Sequence, residues 1–435
     1  MLVVSFVIIG CTTQQISDVE EVPEAIEKIP EIIEEAEKSE ELPEPELTDK
    51  ELLEVVEESE KEITEEKPTF EQAVWKKRID AAMAPSYCPP VTKMEYPSSY
   101  YQGPLIDSHY HLPSLPDSLP GEEEGEEEIY KQYYGHNYVD EDDGEEEDEG
   151  ENGLDEEPYL GKDIKMSEIV CTLQHEGTTR NFAFFPFYSE EISPYMLEIV
   201  KRTEEQYPDL FTPFTDMPNV PEVPGITSMK AGQMLEQTIS VSPGLFQGWG
   251  EISLYVLKNG AGRELPPDSA VLQEIYPVIK KNKMMIYFHP GENQRVSFEK
   301  ILKQYPEINF IVHGDQIKDD IDYLMGKYPN IYFTINNFYA NQDIFLLPNG
   351  KKDFFEVFEN YESLIQADLR AWNKLIEAHP DQVMWGLDRD EEVLWTFDRD
   401  VGLKLVDYAR AFIGRLDPAV QEKFAYKNAE NLLKN

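Results

Sequence analysis

The chain has 435 residues, with 87 Asp and Glu against 38 Lys and Arg, which gives a formal net charge of −49. This charge disfavours nucleic acid as a partner, because the phosphates would be repelled. The 24 Tyr, 21 Phe and 5 Trp are too many for a wholly disordered acidic chain, so the composition predicts a large folded core.

The negative charge is concentrated in two segments. Residues 12–68 carry a net charge of −17 and residues 121–157 carry −18, which leaves −14 for the rest of the chain. The first segment also contains several prolines, which disfavour a long helix. We therefore predict an acidic Pro- and Glu-rich linker over residues 12–69 and a folded unit over residues 70–435, with an acidic insertion at residues 121–157.

The first eleven residues form an apolar run that ends in Gly-Cys. The run is too short to span a bilayer and resembles the signal segment and lipobox of lipoproteins. The resemblance implies that Cys11 is lipidated and that the protein is a membrane-anchored, extracytoplasmic lipoprotein. The sequence departs from the pattern in having no Lys or Arg before the run, and the alternative is a chance hydrophobic N-terminus.

Strand-like and helical segments alternate along the rest of the chain. A first helix is predicted from about residue 70, around Ala73-Val-Trp-Lys-Lys-Arg. Short apolar runs predict eight strands, at residues 104–108, 181–187, 210–216, 248–255, 284–289, 310–313, 331–335 and 383–387. Amphipathic helices are predicted at residues 164–176, 194–206, 269–281, 298–305, 319–328 and 354–378, and a last helical region at residues 400–433. This alternation predicts a parallel (β/α)8 TIM barrel, with the acidic insertion after its first strand.

Chemically active side chains occur where the predicted strands end. His109 and His111 end the first strand, and their i, i+2 spacing places both imidazoles on one face. His289, His313 and Asp388 follow three later strands. Because the carboxyl ends of barrel strands meet at one mouth, four of the seven histidines and a carboxylate are expected to converge on a divalent metal. The alternative for any single histidine is a hydrogen-bonded core residue.

This constellation resembles the amidohydrolase superfamily, and most closely its amidohydrolase-2 branch of hydrolases and decarboxylases. The resemblance covers about residues 100–435 and is carried by Ile106-Asp-Ser-His-Tyr-His, Tyr287-Phe-His-Pro, Val312-His-Gly, Trp385-Gly-Leu-Asp and the closing segment Phe424-Ala-Tyr-Lys-Asn-Ala-Glu-Asn-Leu-Leu. It implies a metal-dependent enzyme that acts on a small organic substrate through a metal-activated water.

The resemblance also implies a role for each residue. His109, His111 and His289 become metal ligands, and His313 becomes a ligand or the group that polarises the substrate. Asp388 becomes both ligand and proton shuttle. The implied cofactor is zinc or manganese, as one or two ions, and the implied partners are a small molecule and, through the anchor, a membrane.

Glu251 lies on the predicted fourth strand, after a glycine. In this respect the chain is similar to TatD-like nucleases and phosphodiesterases, in which such a glutamate bridges two metals. The alternative is a buried carboxylate paired with a nearby Arg or Lys.

Other interpretations remain open. A TatD-like phosphodiesterase is favoured by Glu251 and disfavoured by the net charge of −49, and a catalytically dead barrel that serves as a surface binding protein is disfavoured by the intact ligand set. The chain has no G-x-S-x-G elbow, Walker loop or H-E-x-x-H motif. Its three cysteines form no C-x-x-C pair and no even set, so the sequence does not support a disulfide framework.

Overall fold

The computed structural model describes most of the chain after the linker. The described residues are 69–91, 94–116, 158–187, 193–218, 228–258, 261–336, 338–339, 344, 347–389 and 393–434. The predictions for Cys11, for the linker up to residue 68 and for the insertion at residues 121–157 therefore lie outside them. No helix in the described ranges is both long and apolar enough to cross a bilayer.

The described residues form ten strands and twelve α-helices. The strands are β1 (Leu105–His111), β2 (Thr178–Phe185), β3 (Phe211–Thr215), β4 (Gly248–Ser253), β5 (Tyr255–Lys258), β6 (Ala261–Glu264), β7 (Met285–His289), β8 (Phe310–Val312), β9 (Ile331–Ile335) and β10 (Val383–Trp385). The helices are α1 (Phe70–Ala82), α2 (Met166–Glu176), α3 (Ser193–Gln206), α4 (Ser228–Val241), α5 (Ala270–Asn282), α6 (Arg295–Gln304), α7 (Lys318–Lys327), α8 (Lys351–Val357), α9 (Glu362–Ala378), α10 (Arg399–Ile413), α11 (Pro418–Glu422) and α12 (Asn428–Leu432).

Eight of the strands form one parallel sheet in the order β1-β2-β3-β4-β7-β8-β9-β10. The two ends of the sheet approach each other through a parallel bridge between Tyr110, on β1, and Arg389, just after β10. The predicted (β/α)8 barrel is thus confirmed. The remaining strands, β5 and β6, form an antiparallel hairpin that follows β4 directly and was not predicted.

Two apolar layers stabilise the barrel. The barrel interior is filled by side chains that alternate along the strands with outward-facing ones, among them Ile106, Phe182, Phe184, Phe214, Met285, Tyr287, Ile311 and Met384. A larger layer lies between the strands and the surrounding helices. Each fully buried aliphatic or aromatic side chain of this size contributes about 1.5–3 kcal/mol of transfer free energy.

Helix α2 illustrates how local sequence sets an element. Its N-terminus is capped by Glu168, whose side chain accepts a hydrogen bond from the backbone N–H of Lys165 over 2.9 Å. The helix ends at Gly177, which has a left-handed φ of +73° that favours glycine. Its buried side chains include Met166, Ile169 and Leu173, at the spacing that places them on one face.

One predicted helix was wrong and another helix was missed. The stretch 354–378, expected to be one helix, is divided into α8 and α9 by a short 3-10 turn at Phe358–Asn360. Phe358 stacks on Phe354 and packs edge-on against Tyr408 of α10, so aromatic packing turns the chain where the sequence has no Gly or Pro. Helix α4 was not predicted at all.

A disulfide joins Cys88 to Cys171, which corrects the expectation from the cysteine pattern. The Cα atoms are 5.6 Å apart and the two cysteines are 83 residues apart in sequence, so the bond ties the segment after α1 to α2. The odd number of cysteines argued against a disulfide, but the third cysteine, Cys11, lies in a separate segment and leaves the other two as a pair. The distant spacing carries no local signal.

Candidate metal centre

The predicted site residues converge at the carboxyl ends of the barrel strands. His109 and His111 lie on β1, Glu251 on β4 and His289 at the end of β7. His313 directly follows β8, and Asp388 follows β10 after Gly386 and Leu387. This placement follows from the parallel sheet, in which all strands end at the same mouth.

A register irregularity on β1 turns the two histidines into the barrel. Ile106 packs in the barrel interior, and His109 also faces inward although the two residues are an odd number of positions apart. The pairing of β1 with β2 shifts between Asp107 and Tyr110, which supplies the extra residue that regular alternation lacks.

Four donor atoms from four residues lie close together. His109 Nε2 is 3.0 Å from His111 Nε2, 2.8 Å from Glu251 Oε2 and 3.1 Å from Asp388 Oδ1. His111 Nε2 is 3.3 Å from the same Glu251 oxygen and 3.5 Å from the same Asp388 oxygen. We call these four atoms the donor set.

Five separations within the donor set are close to those of a tetrahedral metal site. Bonds of about 2.0–2.1 Å from zinc to nitrogen and oxygen at tetrahedral angles separate neighbouring ligand atoms by about 3.3 Å. The five separations above lie between 2.8 and 3.5 Å. Two imidazole nitrogens and two carboxylate oxygens are also ligands that zinc and manganese accept. The residues therefore fit a divalent ion.

The protonation states suit a cation as well. Burial raises the pKa of Glu251, but His313 and His109 outweigh that effect and hold the pKa well below 4.5. Burial also opposes ionisation of Asp388, and His109 and His111 again lower its pKa below the usual value. Both carboxylates are therefore ionised at neutral pH. Two carboxylates this close to one another and to two imidazoles, with Glu251 largely buried, favour a divalent ion that would neutralise them.

Asn336 determines how His313 takes part. The Asn336 amide Nδ2 donates to Asp388 Oδ2 and also to His313 Nδ1 at 3.0 Å. Since that ring nitrogen accepts a hydrogen bond, the proton of neutral His313 resides on Nε2, which donates to Glu251 Oε1 over 2.5 Å. Burial lowers the pKa of His313 to about 4, so the ring is neutral. In this arrangement His313 orients Glu251 and lies outside the donor set.

His289 also contacts Glu251 and lies nearer the solvent. Its Nδ1 is 3.3 Å from Glu251 Oε1, and its Nε2 lies 3.1 Å from the Tyr255 hydroxyl and 3.3 Å from Gln316 Oε1. Burial lowers the pKa of His289, but the hydrogen bond and charge of Glu251 outweigh it, and the pKa is raised above 6.5. The pKa values of the two histidines are therefore shifted in opposite directions, upward for His289 and downward for His313.

Among the described residues, the exposed side chains of the cluster lie on one side. The His109 side chain is fully buried and that of His313 is 2% exposed, whereas those of His111, His289 and Asp388 are 21%, 25% and 36% exposed. Beneath His109, the rings of Phe184 and Tyr287 lie 5.2 and 5.1 Å away and close the floor. Within the part of the chain that the structure describes, His111, His289 and Asp388 form the accessible side of the cluster.

Two backbone features hold the ligands in place. Asp107 Oδ1 accepts hydrogen bonds from the backbone N–H groups of His109 and Leu387, each over 3.0 Å, and so joins β1 to the segment that carries Asp388. Gly250, before Glu251, has φ +122°, and a Cβ there would lie 2.2 Å from the Tyr287 carbonyl oxygen. Only glycine fits at this point of β4.

Sequence reasoning missed Asn336, Tyr255 and Gln316. Asn336 directly follows β9, at a strand end like the predicted residues, and that position was the signal that could have found it. Of the other histidines, His175 contacts the Pro89 carbonyl at 3.2 Å and His379 pairs with Asp322 at 2.6 Å, both away from the site, while His136 lies outside the described residues.

Comparisons with known proteins give structural neighbours alone. No family model and no curated protein matches the chain. A dihydroxybenzoic acid decarboxylase from a Polaromonas species, with bound manganese and 2-nitroresorcinol, is 13% identical, covers 77% of this chain and 97% of its own, and has a TM-score of 0.42. A probable 2-pyrone-4,6-dicarboxylic acid hydrolase from Acinetobacter baumannii, with bound citric acid, is 14% identical, with coverage of 76% and 99% and a TM-score of 0.43. An amidohydrolase from Burkholderia multivorans with bound zinc is 12% identical, with coverage of 76% and 99% and a TM-score of 0.44. Identities and TM-scores this low do not indicate which reaction this chain catalyses.

Proposed function

We propose that the protein is a metal-dependent hydrolase of the amidohydrolase type that acts on a small organic substrate. The observation that carries this proposal is the donor set, in which His109, His111, Glu251 and Asp388 direct four atoms at one point of the barrel mouth. Zinc is the proposed ion because the spacing suits its tetrahedral bonds.

A bound divalent ion would act as a Lewis acid and lower the pKa of a water molecule beside the substrate. Asp388 Oδ2 then accepts the proton of the attacking water and returns it to the leaving group. Asn336 holds this oxygen by its amide hydrogen bond and so orients the carboxylate. His313 and His289 contact the other oxygen of Glu251, Oε1, and so keep its Oε2 directed at His109 and His111.

Hydrolysis is proposed over decarboxylation because it is the commoner reaction of the superfamily that the sequence resembles. The site suits a small substrate. His109 is fully buried above the aromatic floor, so the accessible surface of the cluster consists of the exposed parts of His111, His289 and Asp388.

One observation favours a second candidate, a phosphodiesterase that uses two ions. Glu251 directs Oε2 at His109 and His111, and Oε1 at His289 and His313. A carboxylate with one oxygen toward each of two histidine pairs is suited to bridging two metals. The net charge of −49 opposes a polyanionic substrate, so small diesters are the relevant test compounds.

We further propose that the protein works outside the cytoplasm as a lipoprotein anchored through Cys11. The disulfide between Cys88 and Cys171 supports the compartment, because such bonds persist in oxidising surroundings and are rare in the cytosol.

Metal analysis tests the central proposal. Purified protein, stripped with a chelator and reloaded with zinc, should retain one or two ions per chain by mass spectrometry. Replacing His109 and His111 together by alanine should abolish retention, whereas His379→Ala, outside the site, should leave it unchanged. If the double variant still binds zinc with wild-type affinity, the site assignment is wrong.

The reaction class is tested by screening the zinc-loaded protein against lactones, carboxylated rings and phosphodiesters. Hydrolysis of a lactone that is lost in the double variant supports the hydrolase, whereas decarboxylation of a carboxylated ring contradicts it. Turnover of phosphodiesters alone supports the second candidate. Protein that retains no metal and turns over none of them would instead be a binding protein on an inactive barrel.

A further inference from the structure

The seam between β1 and β10 carries half of the residues that converge at the mouth. His109 and His111 lie on one side of it and Asp388 on the other. The described contacts across the seam include the Tyr110–Arg389 bridge and the hydrogen bond from Asp388 N to the His109 carbonyl over 3.0 Å. The distance between the Asp388 carboxylate and the two imidazoles therefore depends on how this seam is held.

A buried ion pair lies directly behind the seam. Arg389 follows Asp388, and its guanidinium donates from Nη2 to Glu176 Oε1, at the end of α2, over 2.7 Å. Both side chains are fully buried. The guanidinium also lies 5.3 Å from the ring of Tyr110, the residue between the two histidines. One contact cluster thus joins the chain neighbours of all three seam ligands to a helix outside the barrel.

Glu176 is the main charge partner of Arg389, with smaller contributions from Tyr110 and Asp107. The Nε and Nη1 atoms of Arg389 have no hydrogen-bond acceptor within the described ranges, so its bond from Nη2 to Glu176 is the one that directs the guanidinium there. The fit around the glutamate is also close, because a Cβ added at Gly402 of α10 would lie 1.7 Å from Glu176 Oε1. The pair has little freedom to shift.

Stability alone does not explain this pair. Buried ion pairs are often no more stabilising than well-packed apolar side chains of the same volume. What such a pair adds is a fixed geometry, because a planar guanidinium donates its hydrogen bonds along fixed directions. A fixed geometry is needed here because Asp388, the chain neighbour of Arg389, has a left-handed φ of +51°. Non-glycine residues adopt this conformation only when their surroundings hold them in it.

We propose that Arg389 and Glu176 are positioning residues of the metal centre, which hold the β1–β10 seam so that Asp388 faces His109 and His111. The inference rests on the proposed function, because it assumes that the donor set binds an ion. It predicts that the pair controls metal affinity more than it controls stability.

The deciding variant replaces both charges by apolar groups of similar volume, as Arg389→Met with Glu176→Leu. Urea unfolding gives its stability, chelator competition gives its zinc affinity, and the absorption spectrum of cobalt(II)-loaded protein reports the ligand geometry. We expect stability close to wild type, zinc affinity lower by about 10- to 100-fold, the range seen for groups that orient metal ligands, and an altered cobalt spectrum.

A matched control separates positioning from general loosening. Tyr276→Phe removes a buried hydrogen bond to the Pro267 carbonyl in the outer layer of the barrel. It should reduce stability and leave zinc affinity and the cobalt spectrum unchanged. An equal loss of zinc affinity in this control would overturn the inference.

A folded double variant that binds zinc as tightly as wild type, with the same cobalt spectrum, also overturns it. Should the double variant not fold, Arg389→Lys keeps the charge but removes the directional guanidinium, and the same two readouts decide. Wild-type protein that binds no zinc at all refutes the proposed function, and this inference with it.

Discussion

Replacing Cys88 and Cys171 by serine removes a cross-link between residues that are 83 positions apart. In the chain-entropy model, closing a loop of this length destabilises the unfolded chain by about 4.5 kcal/mol at 25 °C. Measured values often fall below this figure, because unfolded chains retain structure, so we expect a loss of about 2–4.5 kcal/mol in the free energy of unfolding. The loop encloses β1, so His109 and His111 lie within the segment that the bond constrains.

Urea unfolding followed by tryptophan fluorescence measures the loss. Oxidised wild type should unfold at a higher urea concentration than the double serine variant, and wild type treated with a reducing agent should match the variant. Cys11→Ser is the control and should not shift the midpoint. In unlipidated protein, unfolding without reduction should expose a single reactive thiol. Equal midpoints for the oxidised wild type and the double variant, or three reactive thiols, would refute the assignment of the disulfide.

Four further predictions concern catalysis, pH, anchoring and the insertion. Asp388→Asn should retain most of the metal but lower turnover on the order of 100-fold, because the proton acceptor is lost; kcat measured over a range of pH checks this. Burial raises the pKa of Glu204 to about 7, so the folded state binds its proton more tightly than the unfolded state and stability falls as pH rises from about 4.5 to 7. Glu204→Gln should therefore stabilise the protein by on the order of 1 kcal/mol at pH 8, a figure reduced for its partial exposure, and by nothing at pH 4, with the exposed Glu205→Gln as control in urea unfolding. Cys11→Ser should release the protein from membranes in fractionation. Deleting residues 121–157 should leave zinc bound and speed turnover of anionic substrates at low salt, a gain that shrinks as salt is raised.

The barrel was predictable because each strand is short, apolar and followed by a break, and this signal repeats eight times. The helices were less regular in sequence. The division of the stretch 354–378 depends on contacts of Phe358 with a helix far along the chain, and local periodicity does not record such contacts. A single residue separates β4 from the hairpin β5–β6. The sequence pattern therefore predicted one continuous strand over residues 248–255 and did not reveal the hairpin.

The metal ligands were predictable for a similar reason. Parallel strands bring their carboxyl ends to one mouth, so a histidine or carboxylate after an apolar run is placed there by topology, whatever its distance along the chain. Which nitrogen or oxygen faces the metal is a different matter. The protonated nitrogen of His313 follows from Asn336, which donates to Asp388 as well, and a sequence does not show that triangle.

The buried pair behind the seam marks the limit of such reasoning. Glu176 lies on α2 and Arg389 follows β10, 213 positions later in the chain, and neither belongs to a motif. From sequence alone, a lone Glu at a helix end and a lone Arg in Leu-Asp-Arg-Asp are most simply surface charges. Closure of the barrel buries both side chains and pairs their opposite charges. Closure also places Asp388 beside His109. The Arg389–Glu176 pair, which the sequence does not predict, is therefore the contact that we propose to position the predicted metal ligands.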